Sequence, residues 1–260
     1  MRIPLYQVDA FAERVFEGNP AAVCPLEAWL DDALLQSIAA ENNLAETAFF
    51  VRTAPARAEL RWFTPRAEVD LCGHATLASA HVWFAQLGCD APELRFDTRS
   101  GPLRVRRGEH GLRMDFPALT LQPCATPVSL TAALGATPSA VLRGMDLVAV
   151  FDHADQVEAL APDFRAVAAL DARGLVATAP GADCDVVSRC FYPALGVDED
   201  PVTGSAHCAL APFWAARLGR TTLHARQVSR RGGSLRCEVD GDRVVLEGRA
   251  VDYLRGEIEL

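Results

Sequence analysis

Four residues that can take part in chemistry lie together at the start of one predicted helix. They are Asp70, Cys72, Gly73 and His74, in the stretch EVDLCGHATLASAHVWFAQLG at positions 68–88. The first N–H groups of a helix have no partner inside it, and the helix dipole places partial positive charge there, so this end favours anions. A glycine at this point lets a ligand approach the backbone closely. The pattern therefore predicts a site for a small carboxylate.

The same kind of helix start occurs again 131 positions later. Gly73-His74-Ala75 aligns with Gly204-Ser205-Ala206, and both helices continue to a tryptophan and a final Leu-Gly at equal spacing. Upstream, RWFTP at 61–65 matches RCFYP at 189–193. We infer a tandem duplication. It predicts that Gly73 and Gly204 face each other across a cleft between two lobes and together hold the carboxylate.

The composition excludes several kinds of cofactor chemistry. The sequence has no lysine, and all 25 of its basic residues are arginine. That excludes a Schiff-base lysine, hence ordinary pyridoxal-phosphate catalysis, and the lysine of a phosphate-binding loop. The sequence also has no G-x-G-x-x-G, H-E-x-x-H or C-x-x-C motif, and Cys184 and Cys190 lack a second cluster to complete a zinc site. We expect chemistry by side chains alone, with no cofactor and no metal.

Charge and hydropathy exclude two classes of macromolecular partner. The net charge is −9, so a nucleic-acid backbone would be repelled. No apolar run approaches the 18 residues of a membrane span. The eight cysteines are scattered singly, and the N-terminus carries Asp9 and alternates like a strand rather than a signal peptide. These features indicate reduced thiols and a cytoplasmic location.

The periodicity of the first half predicts two helices among short strands. Leu30, Leu34 and Ile38 form the apolar face of the first helix, which Asp31 caps and Asn42-Asn43 ends. The second runs from 73 to 87, with Gly88 after it. The second half of the chain contains a copy of this second helix, and Pro212 inside that copy predicts a kink.

Both halves follow this order of elements. We therefore predict an α+β fold of two pseudo-repeated lobes, each a mostly antiparallel sheet around a central helix. The N-terminal lobe covers 1–118 and the C-terminal lobe 119–260. The tail after 249 has no counterpart in the first half and pairs with one lobe or the other.

Four motifs, in order along most of the chain, resemble the PhzF-like isomerase family of phenazine biosynthesis. The resemblance implies a diaminopimelate epimerase-like fold, two pseudo-repeated lobes with the active site between them, and a homodimer. The motifs are EGNPAAV (Glu17–Val23), NNLAETAFF (Asn42–Phe50), FTPRAEVDLCGHATLA (Phe63–Ala78) and EDPVTGSA (Glu199–Ala206).

The resemblance also implies roles for individual residues. Glu46 matches the glutamate that acts as acid and base, and His74 the histidine of the G-H motif. Asp200 and Ser205 match the aspartate and serine of D-P-x-T-G-S. Backbone amides near the paired glycines, Gly73 and Gly204, would hold the substrate carboxylate.

The residue types are compatible with these roles. Glu46 lies between apolar neighbours, where a poorly solvated carboxyl group could exchange protons near neutral pH. His74 could cap the helix, donate to a substrate oxygen or relay a proton. Asp70 is either a charge that favours the helix dipole or a residue that lines the site, and we expect His81 to serve packing.

Cys72 raises an alternative mechanism. Related racemases of this fold place one cysteine at each helix start, but the position equivalent to Cys72 is Thr203. A threonine hydroxyl is far too weak an acid to be the second base, so two-thiol racemisation is disfavoured. Cys72 and Thr203 then line the site, or Cys72 is a small buried residue.

The resulting hypothesis is a cofactor-independent isomerase of a small carboxylate-bearing metabolite. Glu46 would move a proton between carbons, while His74, Asp200 and Ser205 orient and polarise the substrate. Two alternatives stay open: an amino-acid-type racemase or epimerase that uses Cys72 with a non-thiol partner, and a binding module without turnover.

Overall fold

The structure, a computed structural model, describes residues 1–260. Its strands are β1 (Arg2–Ala10), β2 (Asn19–Leu26), β3 (Glu46–Ala54), β4 (Arg57–Phe63), β5 (Glu68–Val69), β6 (Glu93–Thr98), β7 (Gly101–Arg107), β8 (Leu112–Pro117), β9 (Gln122–Pro123), β10 (Ala140–Arg143), β11 (Leu147–Val150), β12 (Leu175–Pro180), β13 (Val186–Tyr192), β14 (Val197–Asp200), β15 (Thr222–Gln227), β16 (Gly233–Asp240), β17 (Arg243–Gly248) and β18 (Ala250–Glu259). Its helices are α1 (Asp32–Asn42), α2 (Gly73–His81), α3 (Leu130–Leu134), α4 (Ala154–Glu158), α5 (Phe164–Ala168) and α6 (Gly204–Leu218). No helix is both long enough and apolar enough to cross a membrane.

The chain divides into two units. One contains Met1–Asp115 together with Glu247–Leu260, and the other contains Phe116–Leu246. The sequence predicted lobes of 1–118 and 119–260 and left the place of the tail open. In the structure the tail forms β18, which pairs antiparallel with β1 from Arg2↔Glu259 to Ala10↔Ala250 and so belongs to the first unit.

The same succession of strand pairings occurs in each unit. In the first, β2 and β3 are parallel, β3 and β4 antiparallel, β4 and β6 parallel, and β6 and β7 antiparallel. In the second, β11 and β12 are parallel, β12 and β13 antiparallel, β13 and β15 parallel, and β15 and β16 antiparallel. The hairpin pairings β1–β2 and β10–β11 complete the match. The predicted α+β fold of two pseudo-repeated, mostly antiparallel lobes is confirmed.

The longer helices begin where the sequence predicted. Asp31 caps α1 by accepting a hydrogen bond from the Ala33 backbone N–H at 2.9 Å, and Asn43 ends it in the left-handed conformation. Helix α2 begins at Gly73 and passes into a π-helical turn, Val82–Gln86.

The equivalent helix of the second unit, α6, also begins at its paired glycine. It runs from Gly204 and ends before Gly219, which has a φ of 65°. Pro212 lies inside it, where proline removes one backbone hydrogen bond. The position 131 residues earlier is His81, at which α2 gives way to the π turn. At this position α2 changes to the π turn, whereas α6 continues as an α-helix through Pro212.

Each of these helices is buried in its own unit. Every residue of α2 from His74 to Ala80 is buried, and Trp83 of the π turn stacks on Phe50 with 5.5 Å between ring centroids. In the second unit, the Trp214 Nε1–H of α6 donates to Thr178 Oγ1 at 3.0 Å. Burial of the polar end of an indole requires such a partner.

A repeated arginine–glutamate pair fixes the segment in front of each central helix. Arg61 of β4 donates to both carboxylate oxygens of Glu68 on β5, at 2.7 and 2.8 Å. Arg189 of β13 does the same to Glu199 on β14, at 2.7 and 3.0 Å. Two parallel charge-assisted bonds impose direction as well as attraction. The segments that lead into Gly73 and Gly204 are therefore anchored in the same way.

Candidate active site

Glu46 is the first residue of β3. It follows directly on the turn after α1, where Asn42 Nδ2 donates to Thr47 Oγ1 at 3.1 Å. In the parallel pairing with β2, Glu46 lies opposite Ala21. Its side chain is only 18% exposed, and the next four residues of the strand are buried. A carboxylate therefore lies at the edge of an apolar sheet with a limited path to solvent.

The start of α2 brings two further functional groups to this carboxylate. Cys72 is the N-cap residue in an extended conformation, and its side chain makes no capping hydrogen bond. The Thr76 hydroxyl donates a hydrogen bond to the Cys72 carbonyl oxygen at 2.5 Å, and this bond fixes the first turn of the helix. His74 is the second helical residue and, like Cys72, is buried.

The three side chains form one cluster. His74 Nε2 lies 3.0 Å from Glu46 Oε2, and His74 Nδ1 lies 3.6 Å from Cys72 Sγ. The carboxylate oxygen is buried and has no aligned hydrogen-bond donor, so its contact with the imidazole is an ion-pair approach. The carboxylate oxygen, imidazole nitrogen and thiol sulfur all lie within 4.8 Å of one another.

The close packing of this cluster changes its protonation. Burial opposes the charged form of His74, but Cys72 and the Glu46 carboxylate outweigh it and hold the pKa of His74 well above its ordinary value. Burial, with Glu46, raises the pKa of the Cys72 thiol. The protonation states of His74 and Cys72 are therefore coupled to each other.

Two other predicted residues flank this helix start. Gly73 is half-buried and begins α2. Asp70 is exposed, and its carbonyl oxygen accepts a hydrogen bond from Ser100 Oγ at 2.8 Å. Asp70 is therefore not part of the cluster of Glu46, Cys72 and His74. His81 lies further along the helix, with Nε2 3.2 Å from Asp252 Oδ1.

The second unit holds its own polar cluster in front of α6. Thr203 is the N-cap residue; its hydroxyl donates to Asp200 Oδ2 and accepts no capping hydrogen bond from the helix N–H groups. Gln227, which is completely buried, donates to the Asp200 carbonyl oxygen at 2.6 Å and to Thr203 Oγ1 at 3.1 Å. Its Oε1 accepts from the Thr203 backbone N–H at 2.9 Å. The position of Asp200 is therefore fixed from two sides.

Gly204 and Ser205 open α6, and both are half-buried. Ser205 lines a small pocket together with Met145, Asp146 and Val176. Asp146 is held there by two hydrogen bonds from Arg173, at 2.7 and 2.8 Å.

Two buried polar residues behind Thr203, His207 and Gln227, were not predicted from the sequence. His207 Nδ1 is 2.8 Å from the Thr203 carbonyl oxygen, and its Nε2 is 3.4 Å from Ser188 Oγ. Gln227 comes from β15, distant in sequence. Neither has a motif or a matching residue in the first half, so only the tertiary structure reveals them.

Comparison with known proteins identifies the family. The family described as "Phenazine biosynthesis-like protein" matches residues 8–256. The chain belongs to the phenazine biosynthesis-like family. A protein of Pseudomonas aeruginosa named as an uncharacterized isomerase is 55% identical, and the match covers 100% of both chains. The prediction of a PhzF-like enzyme of the isomerase class is confirmed at this level.

Solved structures support the same assignment. A PhzF-family protein of Enterococcus faecalis superposes with a TM-score of 0.98 at 48% identity, over 100% of both chains. A hydroxyproline epimerase of Agrobacterium vitis is similar in fold alone, with a TM-score of 0.61 at 12% identity over 99% of this chain and 92% of that one. The diaminopimelate epimerase-like fold is confirmed. The roles of the individual site residues stay predictions.

Proposed function

We propose that this PhzF-like chain is a cofactor-independent isomerase that moves a proton between two carbons of a small carboxylate-bearing metabolite. The observation that carries the proposal is the contact of Glu46 with His74 at the start of α2. A carboxylate oxygen without an aligned donor, at the edge of an apolar sheet, has a lone pair available for a carbon acid.

Glu46 is the acid and base of the proposed reaction. Its carboxylate accepts the proton from one carbon, and the electron pair of the broken C–H bond shifts into the adjacent unsaturated system. The same group then returns the proton to the second carbon, so that no oxidant, reductant or other co-reactant is consumed. A positioned group of this kind contributes a factor of roughly 10²–10⁴ to the rate.

His74 supports this transfer from the first turn of the helix. Its Nε2 lies 3.0 Å from Glu46 Oε2, where the imidazole stabilises the negative charge that develops on the substrate. Because the imidazole is buried and also contacts Cys72, its orientation is set before substrate binds.

The start of α2 provides the carboxylate site. Cys72 does not cap the helix through its side chain, and Gly73 has no side chain to block approach to the backbone. The first N–H groups and the helix dipole then favour a carboxylate. The start of α6 is similar, since the Thr203 hydroxyl donates to Asp200 and leaves the helix uncapped. We include Gly204, Ser205 and Asp200 in the proposal as binding and polarising groups.

The two alternatives, a racemase that uses Cys72 and a binding module without turnover, predict different results for proton exchange. A racemase that uses this thiol would lose exchange of a Cα proton in Cys72→Ala. A binding module would bind small carboxylates saturably without any exchange. Thr203 supplies no second thiol and is engaged with Asp200, which favours the glutamate mechanism.

The experiment compares wild type with Glu46→Gln in D₂O. The first substrate is trans-2,3-dihydro-3-hydroxyanthranilate, followed by a panel of small unsaturated carboxylates, with deuterium incorporation followed by NMR and mass spectrometry. We expect Glu46→Gln to lower turnover by roughly 10²–10⁴-fold with an unchanged circular dichroism spectrum. Glu41→Gln, at an exposed position of α1, is the matched control. Full activity of Glu46→Gln on a substrate that wild type converts would exclude the mechanism.

A further inference from the structure

We propose that Glu46, Cys72 and His74 form a binding site for a borderline-soft divalent cation of the Zn²⁺ type. They offer one oxygen, one sulfur and one nitrogen ligand, all within 4.8 Å of one another. The sequence predicted no metal site, because no metal-binding motif is present and Glu46 is distant in sequence from Cys72 and His74.

The distances from one nitrogen, His74 Nε2, to the other two ligand atoms lie within about 0.4 Å of those of a tetrahedral site. Cys72 Sγ lies 3.6 Å from Nδ1 and 4.0 Å from Nε2 of His74, and Nε2 lies 3.0 Å from Glu46 Oε2. Zinc bond lengths with tetrahedral angles require about 3.6 Å between sulfur and nitrogen and about 3.4 Å between nitrogen and oxygen. Binding of one ion through Nε2 therefore requires the Cys72 sulfur to move towards this nitrogen and the Glu46 oxygen to move away from it, each by about 0.4 Å.

The ligand types select the class of cation. A thiolate and an imidazole favour Zn²⁺ and Co²⁺ over Mg²⁺ and Ca²⁺, which prefer oxygen ligands. On binding, the cation replaces the thiol proton of Cys72 and the proton on the coordinating nitrogen of His74, and the thiolate and carboxylate together balance its two positive charges. This balance matters, because the positive end of the α2 dipole opposes a cation. Three protein ligands leave a fourth position open.

The cluster is the only one of its kind in the chain. No other group of three or more His, Cys, Asp or Glu residues brings its ligand atoms this close together. Cys89 illustrates the contrast, since its Sγ donates to the Pro55 carbonyl oxygen at 3.5 Å. A bound ion would occupy the lone pair of Glu46, so loss of turnover on metal binding is a consequence that rests on the proposed function, whereas binding itself does not.

Cobalt titration of the reduced, chelator-treated protein tests the site directly. We expect one equivalent of Co²⁺ to produce a thiolate-to-cobalt charge-transfer band in the near ultraviolet and intense visible bands of a tetrahedral ion. Both should disappear in Cys72→Ser, and His74→Gln should weaken binding by roughly 10²-fold or more. Cys89→Ser, which alters a half-buried cysteine outside the cluster, should give the wild-type spectrum.

Competition with a chromophoric chelator then gives the Zn²⁺ affinity of each folded variant. A spectrum without a thiolate band, or one that survives Cys72→Ser, would overturn the proposed site. The two proposals fail separately. Metal binding together with full activity of Glu46→Gln refutes the glutamate mechanism alone. Loss of activity in Glu46→Gln without metal binding refutes the metal site alone.

Discussion

Replacement of His207 by asparagine should make the stability of the protein less sensitive to acid. His207 is 1% exposed inside α6. Burial lowers its pKa to about 4, although the hydrogen bond to the Thr203 carbonyl oxygen partly opposes the shift. The amide of the introduced asparagine would keep a donor near that oxygen but could not titrate.

The direction of this pH dependence follows from the pKa of the histidine in the folded and in the unfolded chain. The unfolded chain takes up the proton of this histidine below about pH 6.5, whereas the folded chain takes it up only near its depressed pKa of about 4. The contribution to stability is therefore fully present above about pH 6.5 and is lost progressively as the pH falls towards about 4. Linkage gives a loss of about 2 kcal/mol between about pH 7 and about pH 4.5 from this group alone.

Urea unfolding at these two pH values, followed by tryptophan fluorescence and circular dichroism, measures the difference. We expect the free energy of unfolding of His207→Asn to fall by about 2 kcal/mol less than that of wild type, whatever the variant loses at neutral pH through poorer packing. His224→Asn changes an exposed histidine of the same unit and should follow wild type. Equal losses in wild type and His207→Asn would refute the argument that His207 is buried in its neutral form.

Three further substitutions test the packing and the polar clusters. Arg189→Met should lower the free energy of unfolding, measured in urea, by about 3 kcal/mol, because the largely buried Glu199 carboxylate loses its partner. Adding Glu199→Met to the same chain should restore part of this loss. Gln227→Glu should reduce turnover roughly 10–100-fold with an unchanged circular dichroism spectrum, because the Nε2 donors that hold Asp200 and Thr203 are lost. Gly18→Ala should destabilise the protein by roughly 2 kcal/mol or more in thermal unfolding, since φ is +65° and a Cβ would lie 2.1 Å from the Ala10 carbonyl oxygen.

Each of these experiments has a matched comparison. An unchanged stability of Arg189→Met would show that the bidentate pair is dispensable. Gln122→Glu alters an exposed glutamine and should keep full turnover, so equal activity of the two glutamine variants would remove Gln227 from the site. Gly88 has a similar φ of +67° but open space around its Cβ position, so Gly88→Ala should cost only about 1 kcal/mol. Equal costs at Gly18 and Gly88 would contradict the steric argument.

The repeated architecture could be predicted from the amino-acid sequence alone. Matched Arg, Phe, Pro, Gly and Trp positions at nearly constant offset predicted two copies of one lobe, and the strand pairings follow that prediction in both units. The first residues of the main helices could also be predicted from their local sequence. Asp31 caps α1, and Gly73 and Gly204 begin the central helices, because capping and glycine effects act over three or four residues.

The contacts between side chains distant in sequence could be read only from the folded chain. Gln227 reaches Thr203 across 24 positions, and no periodicity encodes that contact. The motifs identified both Glu46 and His74. Their separation of 3.0 Å depends on the register of β3 against its neighbours and on the position of the α2 N-terminus. The same packing places the Cys72 thiol beside them. Hydrophobic patterning specifies which face of each element is buried, whereas distances of about 3–4 Å between polar groups result from the packing of all elements together.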